Sequence, residues 1–432
     1  MGIAMTSKLS RRNLLKTSAL AGAAAGFPAI VPSTVLGATA PSNKITIGGI
    51  GTGSMGMGNL KGLLNQPDTR LLAVCDVDSR HRANAKRTID SKYGNTDCTE
   101  YNDFRELLAR DDIDAVFHAL PDHWHGIICV AAANAGKDIY GQKPLARTIP
   151  EGRAIVEAVE RNGVIWQTGS QQRSDGRFRM ACELVRNGRL GKIKFAEARL
   201  PGGYGGGSAK TVPVPKELDY EMWLGPAPMQ PHRDLGRGGS MHWNWRWLRD
   251  FSGGQITDWA GHNIDICHWA LGLDETGPVE ISGTGGFADS DLFNVITSFD
   301  FDLKYADGSL IKVTSKYGPG ARFVGEEGEI LVTREKIEAS KPGILKDPIP
   351  SNGIRLYESR DHHRNFIDCV KSRRPCICPA ETGHRSISAG LLGELAIYTG
   401  RTLKWDPENE IITNDSVANG LLTRSFREPW IL

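Results

Sequence analysis

Three polar residues at helical spacing carry the most specific chemistry in this 432-residue chain: Asp258, His262 and Asp265. At i, i+4 and i+7 they fall on one side of a helix, with Ile264, Ile266 and Leu271 interleaved as buried positions. A carboxylate four residues from a histidine can orient the imidazole and raise its basicity, which a general base for an alcohol proton requires. Hydride then leaves the carbinol carbon while the ring takes the hydroxyl proton. Metal binding is a rival reading, because Asp, His and the nearby His268 are all ligand types. No third ligand has a clear spacing, so no metal is assigned. The plain alternative is a histidine satisfied inside a helix pair.

A hydride needs an acceptor, and the chain offers a place for one. Ile45, Ile47 and Ile50 form a short apolar strand that runs into Gly51-x-Gly53-x-x-Gly56, after which Leu60, Leu63 and Leu64 recur at helical spacing. In a dinucleotide fold the first glycine permits the turn, the second lets the backbone approach a pyrophosphate, and the third packs helix on strand. The helix start at Ser54 and Met55 then presents free N–H groups to the phosphates. A second apolar strand, Leu71–Cys75, ends in Asp76, about 20 residues past the glycines, where an acid binds the ribose hydroxyls. An acid there repels a 2′-phosphate and favours NAD, while Arg80 and Arg82 leave NADP open.

The elements that must position these residues alternate. Helices are expected at 79–89, 103–109, 124–135 and 152–161, and strands at 113–120, 137–140 and 164–168. Strands and helices alternating in this way imply a parallel sheet covered on both faces, a Rossmann domain over residues 41–170. Right-handed crossovers put the strand ends 121–125, 141–146 and 169–173 on the edge that carries the glycine turn. Two of these loops hold chemistry: Leu120-Pro121-Asp-His-Trp-His125, and Gly141-Gln142-Lys143-Pro144. A lysine at a strand end facing a nicotinamide can hydrogen-bond a substrate hydroxyl.

At Gln142-Lys143-Pro144 the chain resembles the Gfo/Idh/MocA family, the group of glucose–fructose oxidoreductase and inositol dehydrogenase. Its strand-end Glu-Lys-Pro is matched except that Gln142 replaces the glutamate. Its Gly-Gly followed by Asp-x-x-x-His and Asp is matched by Gly253, Gly254, Asp258, His262 and Asp265. The resemblance spans about residues 43–400. It implies that Lys143 contacts substrate beside the nicotinamide, and that Asp258 and His262 bind substrate and move its proton. Pro121 and His125 match a Pro-x-x-x-His helix start; that histidine either lines the nicotinamide pocket or caps the helix. With Leu120, Pro121 and Gln142 it completes the expected cofactor contacts. Residues 171–432 are expected to form an α+β domain with a large, mostly antiparallel open sheet, with strands at 193–200, 279–286, 295–305, 310–317 and 321–332 and helices at 361–372 and 384–399. Asp307-Gly308 marks a hairpin. A homo-oligomer formed through that sheet is expected.

Met241-His-Trp-Asn-Trp-Arg-Trp247 places Trp243, Trp245 and Trp247 on one face if extended, suited to stacking on a sugar ring. An aromatic core strip is the alternative for two of the three, and Trp245 is taken as the sugar contact. Gln172 and Arg173, beside Gln171, are further substrate candidates.

Lys and Arg number 52 against 50 Asp and Glu, a net charge of +2 that points to neither nucleic acid nor a polybasic membrane surface. The eight cysteines lack zinc-ligand spacing and read as mostly buried free thiols. Residues 1–40 read as a twin-arginine export signal: Ser10-Arg-Arg-Asn-Leu-Leu-Lys16, then a weakly apolar run broken by Gly22, Gly26, Pro28 and Pro32. Export of a folded chain to the periplasm suits a cofactor held tightly, and makes the twin-arginine machinery a partner. Three functions follow. The first is an NAD(P)-dependent oxidoreductase of a sugar or polyol. The second is a glycosidase that uses NAD transiently, with Tyr204 at the centre of Gly202–Gly207. The third is a cofactor-retaining sugar-binding protein.

Overall fold

The computed structural model describes residues 43–205, 210–235, 241–290 and 292–432. The proposed signal, Gly206–Gly207 of the glycine-rich loop and residues 236–239 of the second glycine-rich connection lie outside the described residues.

The first sheet has six parallel strands in the order β3-β2-β1-β4-β5-β6. They are β1 (Ile45–Ile50), β2 (Thr69–Cys75), β3 (Thr99–Tyr101), β4 (Ala115–His118), β5 (Asp138–Gly141) and β6 (Trp166–Thr168). Helices α1 (Ser54–Leu64), α2 (Ser79–Tyr93), α3 (Phe104–Leu108), α4 (His125–Asn134) and α5 (Ile149–Asn162) alternate with them. A sheet covered on both faces needs apolar residues in every register, and β4 and β5 are buried throughout. Local chemistry sets the helix ends. Asp78 accepts from Arg80 N at the start of α2, and Gly94 closes it at φ 68°. Strand β3, a short edge strand of polar sequence, has no apolar run to announce it.

The second sheet has nine strands in the order β15-β14-β13-β7-β12-β11-β10-β16-β17, where β10 is Glu280–Phe287, β15 Ile337–Ala339, β16 Leu403–Asp406 and β17 Ile411–Ile412, while β8 (Lys210–Thr211) and β9 (Arg233–Asp234) pair separately. Every pair is antiparallel except β7 (Ile193–Arg199) with β12 (Leu310–Thr314). The hairpin at Asp307-Gly308 joins β11 (Ile296–Lys304) to β12, with Gly308 at φ 86°. The run 321–332, expected as one strand, is two: β13 (Gly320–Gly325) and β14 (Glu329–Val332). Polar Glu326-Glu327-Gly328 forms the reversal, closed by Gly325 N donating to Gly328 O.

A boundary at residue 170 separates the two sheets but not their cores. One continuous apolar cluster runs from Ile50 and Val116 to Phe301, Val313 and Leu392. Helix α6 (Gly176–Arg186) feeds it, and the long helix Ala380–Thr399 is buried along most of its length between α5 and the second sheet. Helix His362–Ser372 returns to the first sheet, where Phe366, Ile367 and Cys369 pack with Ile47, Leu60 and Tyr140. The C-terminal segment also returns. Arg424 Nη2 donates to His123 O at 2.6 Å, its Nε to Glu151 Oε1 at 2.6 Å, and Trp430 meets Trp124 edge-on at 4.7 Å. All eight cysteines are free and buried. Among the described residues no helix is long and apolar enough to cross a membrane.

Candidate active site

A cavity of about 850 Å³ runs from the glycine turn to the residues between the two sheets. At its first end, Gly51 sits at φ 78°, and a Cβ there would lie 2.5 Å from Ala119 O. A Cβ on Gly56 would lie 2.0 Å from Gly51 O, so only glycine lets α1 approach the turn. Gly53 differs: a Cβ would meet only the His81 ring, at 3.7 Å. Its face is open to the cavity, as an approaching pyrophosphate requires. Helix α1 has no side-chain cap and no acid in its first turn, so its N–H groups and positive end are available to an anion. Gly51, Gly53, Ser54 and Met55 line this end. The residues therefore fit a dinucleotide.

Asp76 lines the same end at the tip of β2. Its Oδ2 accepts from Thr52 N at 2.7 Å and Thr52 Oγ1 at 3.2 Å, and its Oδ1 accepts from Asp78 N at 2.9 Å. These donors aim the carboxylate. The neighbouring arginines are already engaged: Arg80 grips both oxygens of Asp78, and Arg82 donates to Asp76 O and Asn102 Oδ1. His81, which the motif does not include, stands 3.5 Å from Asp76 Oδ2, whose hydrogen bond raises the imidazole above its ordinary range. Asp78, His81 and His242 are metal-ligand types with atoms within 4.8 Å of one another. Arg80 holds Asp78, and nothing else there asks for an ion.

At the other end, Leu120, Pro121, Gln142, Lys143 and Asp258 line the wall. Lys143 Nζ donates to Asp258 Oδ1 at 2.8 Å across 115 positions of sequence, and Arg246 Nε lies 3.8 Å from the same oxygen. Burial pushes the Asp258 carboxyl up, but the charges of Lys143 and Arg246 prevail and hold it below its usual range. Gln142 Nε2 donates to Asn59 Oδ1 at 3.2 Å, while its Oε1 is buried with no partner among the described residues. The lone acceptor is a place for a ligand N–H.

The helix expected through Asp258, His262 and Asp265 is interrupted. An α-helix over Gln255–Trp259 passes into a π turn, Ala260–Ile264, before helix resumes at Asp265–Leu271. The wider turn rotates the three side chains apart. Asp258 turns to Lys143. Asp265 receives Arg173 Nε at 2.7 Å and Nη2 at 2.9 Å. His262 is 5% exposed, with its ring edge-on to Trp259 at 5.3 Å and its Nδ1 without a partner among the described residues. Burial, then the charges of Lys143 and Arg334, hold it well below the usual imidazole range, so the ring is neutral. No hydrogen bond joins Asp258 to His262 among the described residues.

Three further candidates are engaged with other residues. Arg173 is buried, is tied also to Asp274 at 2.6 Å, and lies over Trp269; it clamps helices together and does not reach the cavity. Gln172 is spent on Asn263 Oδ1 at 2.9 Å and Arg334 Nε at 3.2 Å. His125 is wholly buried, its ring nitrogens 2.6 Å from Pro144 O and 3.0 Å from Leu120 O, so it joins the two cofactor loops and does not line the cavity. The tryptophan run is helical, not extended: Met241–Asn244 and then a 3₁₀ turn, Trp245–Trp247. Trp243 is 55% exposed while Trp245 and Trp247 are buried, yet all three border the cavity with Tyr204.

Asp122 belongs to the Leu120–His125 loop. It lines the cavity, is 1% exposed, and accepts from Ser252 Oγ at 2.7 Å. A proline followed by an aspartate reads as a helix start, and its partner lies 130 positions away.

Comparison with known proteins matches this architecture. Residues 45–170 match the oxidoreductase family's NAD-binding Rossmann fold, and residues 203–432 match that family's C-terminal alpha/beta domain. The chain belongs to the Gfo/Idh/MocA oxidoreductase family. Residues 8–28 match the twin-arginine translocation pathway signal sequence. The chain is 25% identical over 373 residues to scyllo-inositol 2-dehydrogenase (NAD(+)) of Bacillus subtilis (strain 168), covering 83% of this chain and 95% of that one. It is 29% identical over 213 residues to glycosyl hydrolase family 109 protein 2 of Shewanella sp. (strain ANA-3), covering 44% of this chain and 46% of that one. Among solved structures, aldose-aldose oxidoreductase from Caulobacter crescentus complexed with glycerol shares the fold. The TM-score is 0.61 at 19% identity, over 84% of this chain and 99% of that one.

Proposed function

We propose that this protein is an exported NAD-dependent oxidoreductase that oxidises a hydroxyl of a sugar, polyol or sugar derivative. The Lys143–Asp258 pair, in one cavity with an open glycine turn, carries this reading. NAD, when bound, supplies the hydride acceptor. The turn at Gly51–Gly56 and the N-terminus of α1 would hold its pyrophosphate, Asp76 its ribose hydroxyls, and Leu120, Pro121 and Gln142 would contact its other end. Asp76 disfavours a 2′-phosphate, and Arg80 and Arg82 are occupied elsewhere.

Lys143 donates to the substrate hydroxyl, and Asp258 aims its Nζ. Trp243, Trp245 and Trp247 offer indole surface to a sugar ring. His262, close enough to feel the charges of Lys143 and Asp258, is the group expected to take the hydroxyl proton. The twin-arginine match supports export to the periplasm in a folded state with the cofactor held tightly. The test is reduction of NAD by purified protein over a panel of polyols and aldoses, with Lys143→Ala as control. NADH appearing with at least one substrate, and lost in the variant, is the expected result. A panel without any NADH sinks the reading.

The similarity to the family 109 glycosyl hydrolase, together with Tyr204 on the cavity wall, favours a second reading. In it the hydride is returned after glycoside elimination. Free sugar released from a glycoside with no net NADH distinguishes it.

A further inference from the structure

The cavity wall that carries Lys143 and Asp258 also carries Arg246, on the 3₁₀ turn Trp245–Trp247. Arginines of similar or greater burial elsewhere are neutralised: Arg147, Arg199, Arg385 and Arg424 each end on a glutamate at 2.6–3.0 Å. Arg246 is not. Its one hydrogen bond among the described residues runs from Nη1 to the neutral Trp243 carbonyl, at 3.2 Å. Its closest carboxylate among those residues is Asp258, whose Oδ1 lies 3.8 Å from Nε and already receives Lys143 Nζ at 2.8 Å. The Nη2 group has no partner among the described residues. The ring centroids of Trp243 and Trp245 lie 4.6 and 4.3 Å from the guanidinium carbon, contacts that hold the group without using its N–H donors.

Charge at this end is also unbalanced. The charges of Lys143 and Arg246 act on both Asp258 and Asp122, and that of Arg334 reaches His262. Arg334 lies over Trp259 at 4.7 Å and donates to the neutral Gln172 Oε1. Against these cations, Asp258 is held below the usual carboxylate range despite its burial, whereas burial pushes Asp122 up to about 7. Burial also keeps His262 neutral. An excess of positive charge in a cavity draws an anion, and a guanidinium with open N–H groups meets a carboxylate through two parallel hydrogen bonds. A neutral sugar would leave that charge uncompensated.

Resting on the oxidoreductase reading, we propose that the substrate is a sugar acid, a uronate or an aldonate, whose carboxylate is bound by Arg246 while the hydroxyl to be oxidised faces Lys143. Lys143 Nζ and Arg246 Nε approach the same Asp258 oxygen, so the carboxylate and that hydroxyl lie within a few carbons of each other.

The test uses the full-length, folded protein loaded with NADH, with which saturated alcohols cannot react. Isothermal titration calorimetry compares two matched pairs: methyl glucuronide with methyl glucoside, and gluconate with glucitol. At least one acid should bind about tenfold or more tightly than its neutral partner, and added salt should weaken the acid alone. In Arg246→Met that preference should fall about tenfold, and Arg246→Lys, which keeps the charge but not the fork, should recover part of it. NADH affinity, read from its fluorescence, reports that each variant is folded. With NAD, Arg246→Met should lower kcat/KM about tenfold more for the acid than for its neutral partner, through KM. Equal affinity within both pairs, a preference that survives in Arg246→Met, or tighter binding of glucitol phosphate than of either acid overturns the sugar-acid assignment. Acids that bind with the expected preference, while no member of either pair reduces NAD, overturn the underlying oxidoreductase reading instead.

Discussion

Two carboxylates on the same cavity wall are held in opposite states. Asp258 faces two cations and stays ionised despite its burial; Asp122, at 1% exposure, faces one neutral hydroxyl and rises to about 7. Asp258 is also the more exposed, its side chain at 15%, but its cations set the direction of its shift. Removal from water pushes both upward, and only a charge at hydrogen-bond distance reverses that push. One wall therefore presents a fixed anion that aims a lysine and a carboxyl free to exchange a proton.

The most severe way to break this contrast is Lys143→Met. It strips Asp258 of its close cation and makes it resemble Asp122. Oxidation should fall by about 10²–10⁴-fold, measured as kcat/KM with NAD saturating. Asp122→Asn should act on stability in a pH-dependent direction. A buried acid whose folded value is raised gives stability that is complete below its unfolded value, 3.8, and is lost as pH rises through about 7. The cost above neutrality is on the order of 4 kcal/mol, from about 1.4 kcal/mol per pH unit between the two values. Thermal denaturation should therefore show the asparagine variant stabilised at about pH 8, with the gain vanishing toward about pH 4.

Arg246→Met should cost less, about tenfold in kcat/KM, or ~1.4 kcal/mol. Its charge is the more distant of the two on Asp258, and Lys143 remains. The smallest effect belongs to Trp243→Ala. This half-exposed indole flanks the Arg246 guanidinium at 4.6 Å, with Trp245 on it at 4.3 Å. Its loss should raise KM about two- to fivefold, from a cation–π contact worth about 0.5–1 kcal/mol, and leave the pH profile in place.

The nucleotide end was legible because its requirements are local. Gly51, Gly53 and Gly56 lie within six residues, and Asp76 ends the next strand, so turn geometry and spacing suffice. Lys143 and Asp258 were each legible from position and family resemblance, but their pairing was not, since nothing in either stretch reveals a partner 115 positions away. Asp122 was not legible, because its character comes from burial and from Ser252, neither of which is written in its own loop. The separation of Asp258, His262 and Asp265 was hidden for another reason. A spacing of four and seven looks the same whether the turn is α or π, and only the backbone distinguishes them. Arg173 misled because a basic residue in a polar loop looks exposed, whereas Asp265 and Asp274 draw it inside.

The return of the C-terminal segment onto the first sheet bears on the order in which the enzyme is assembled. Arg424 holds the carbonyl of His123, next to Asp122, from 301 positions further along the chain. A ribosome making this protein exposes the glycine turn early but supplies that brace 301 residues after His123. Until residues 424–430 emerge, the loop carrying Asp122 has no Arg424 bond and no Trp430 against Trp124. A nascent chain can therefore complete its glycine turn well before the loop across the cavity is braced.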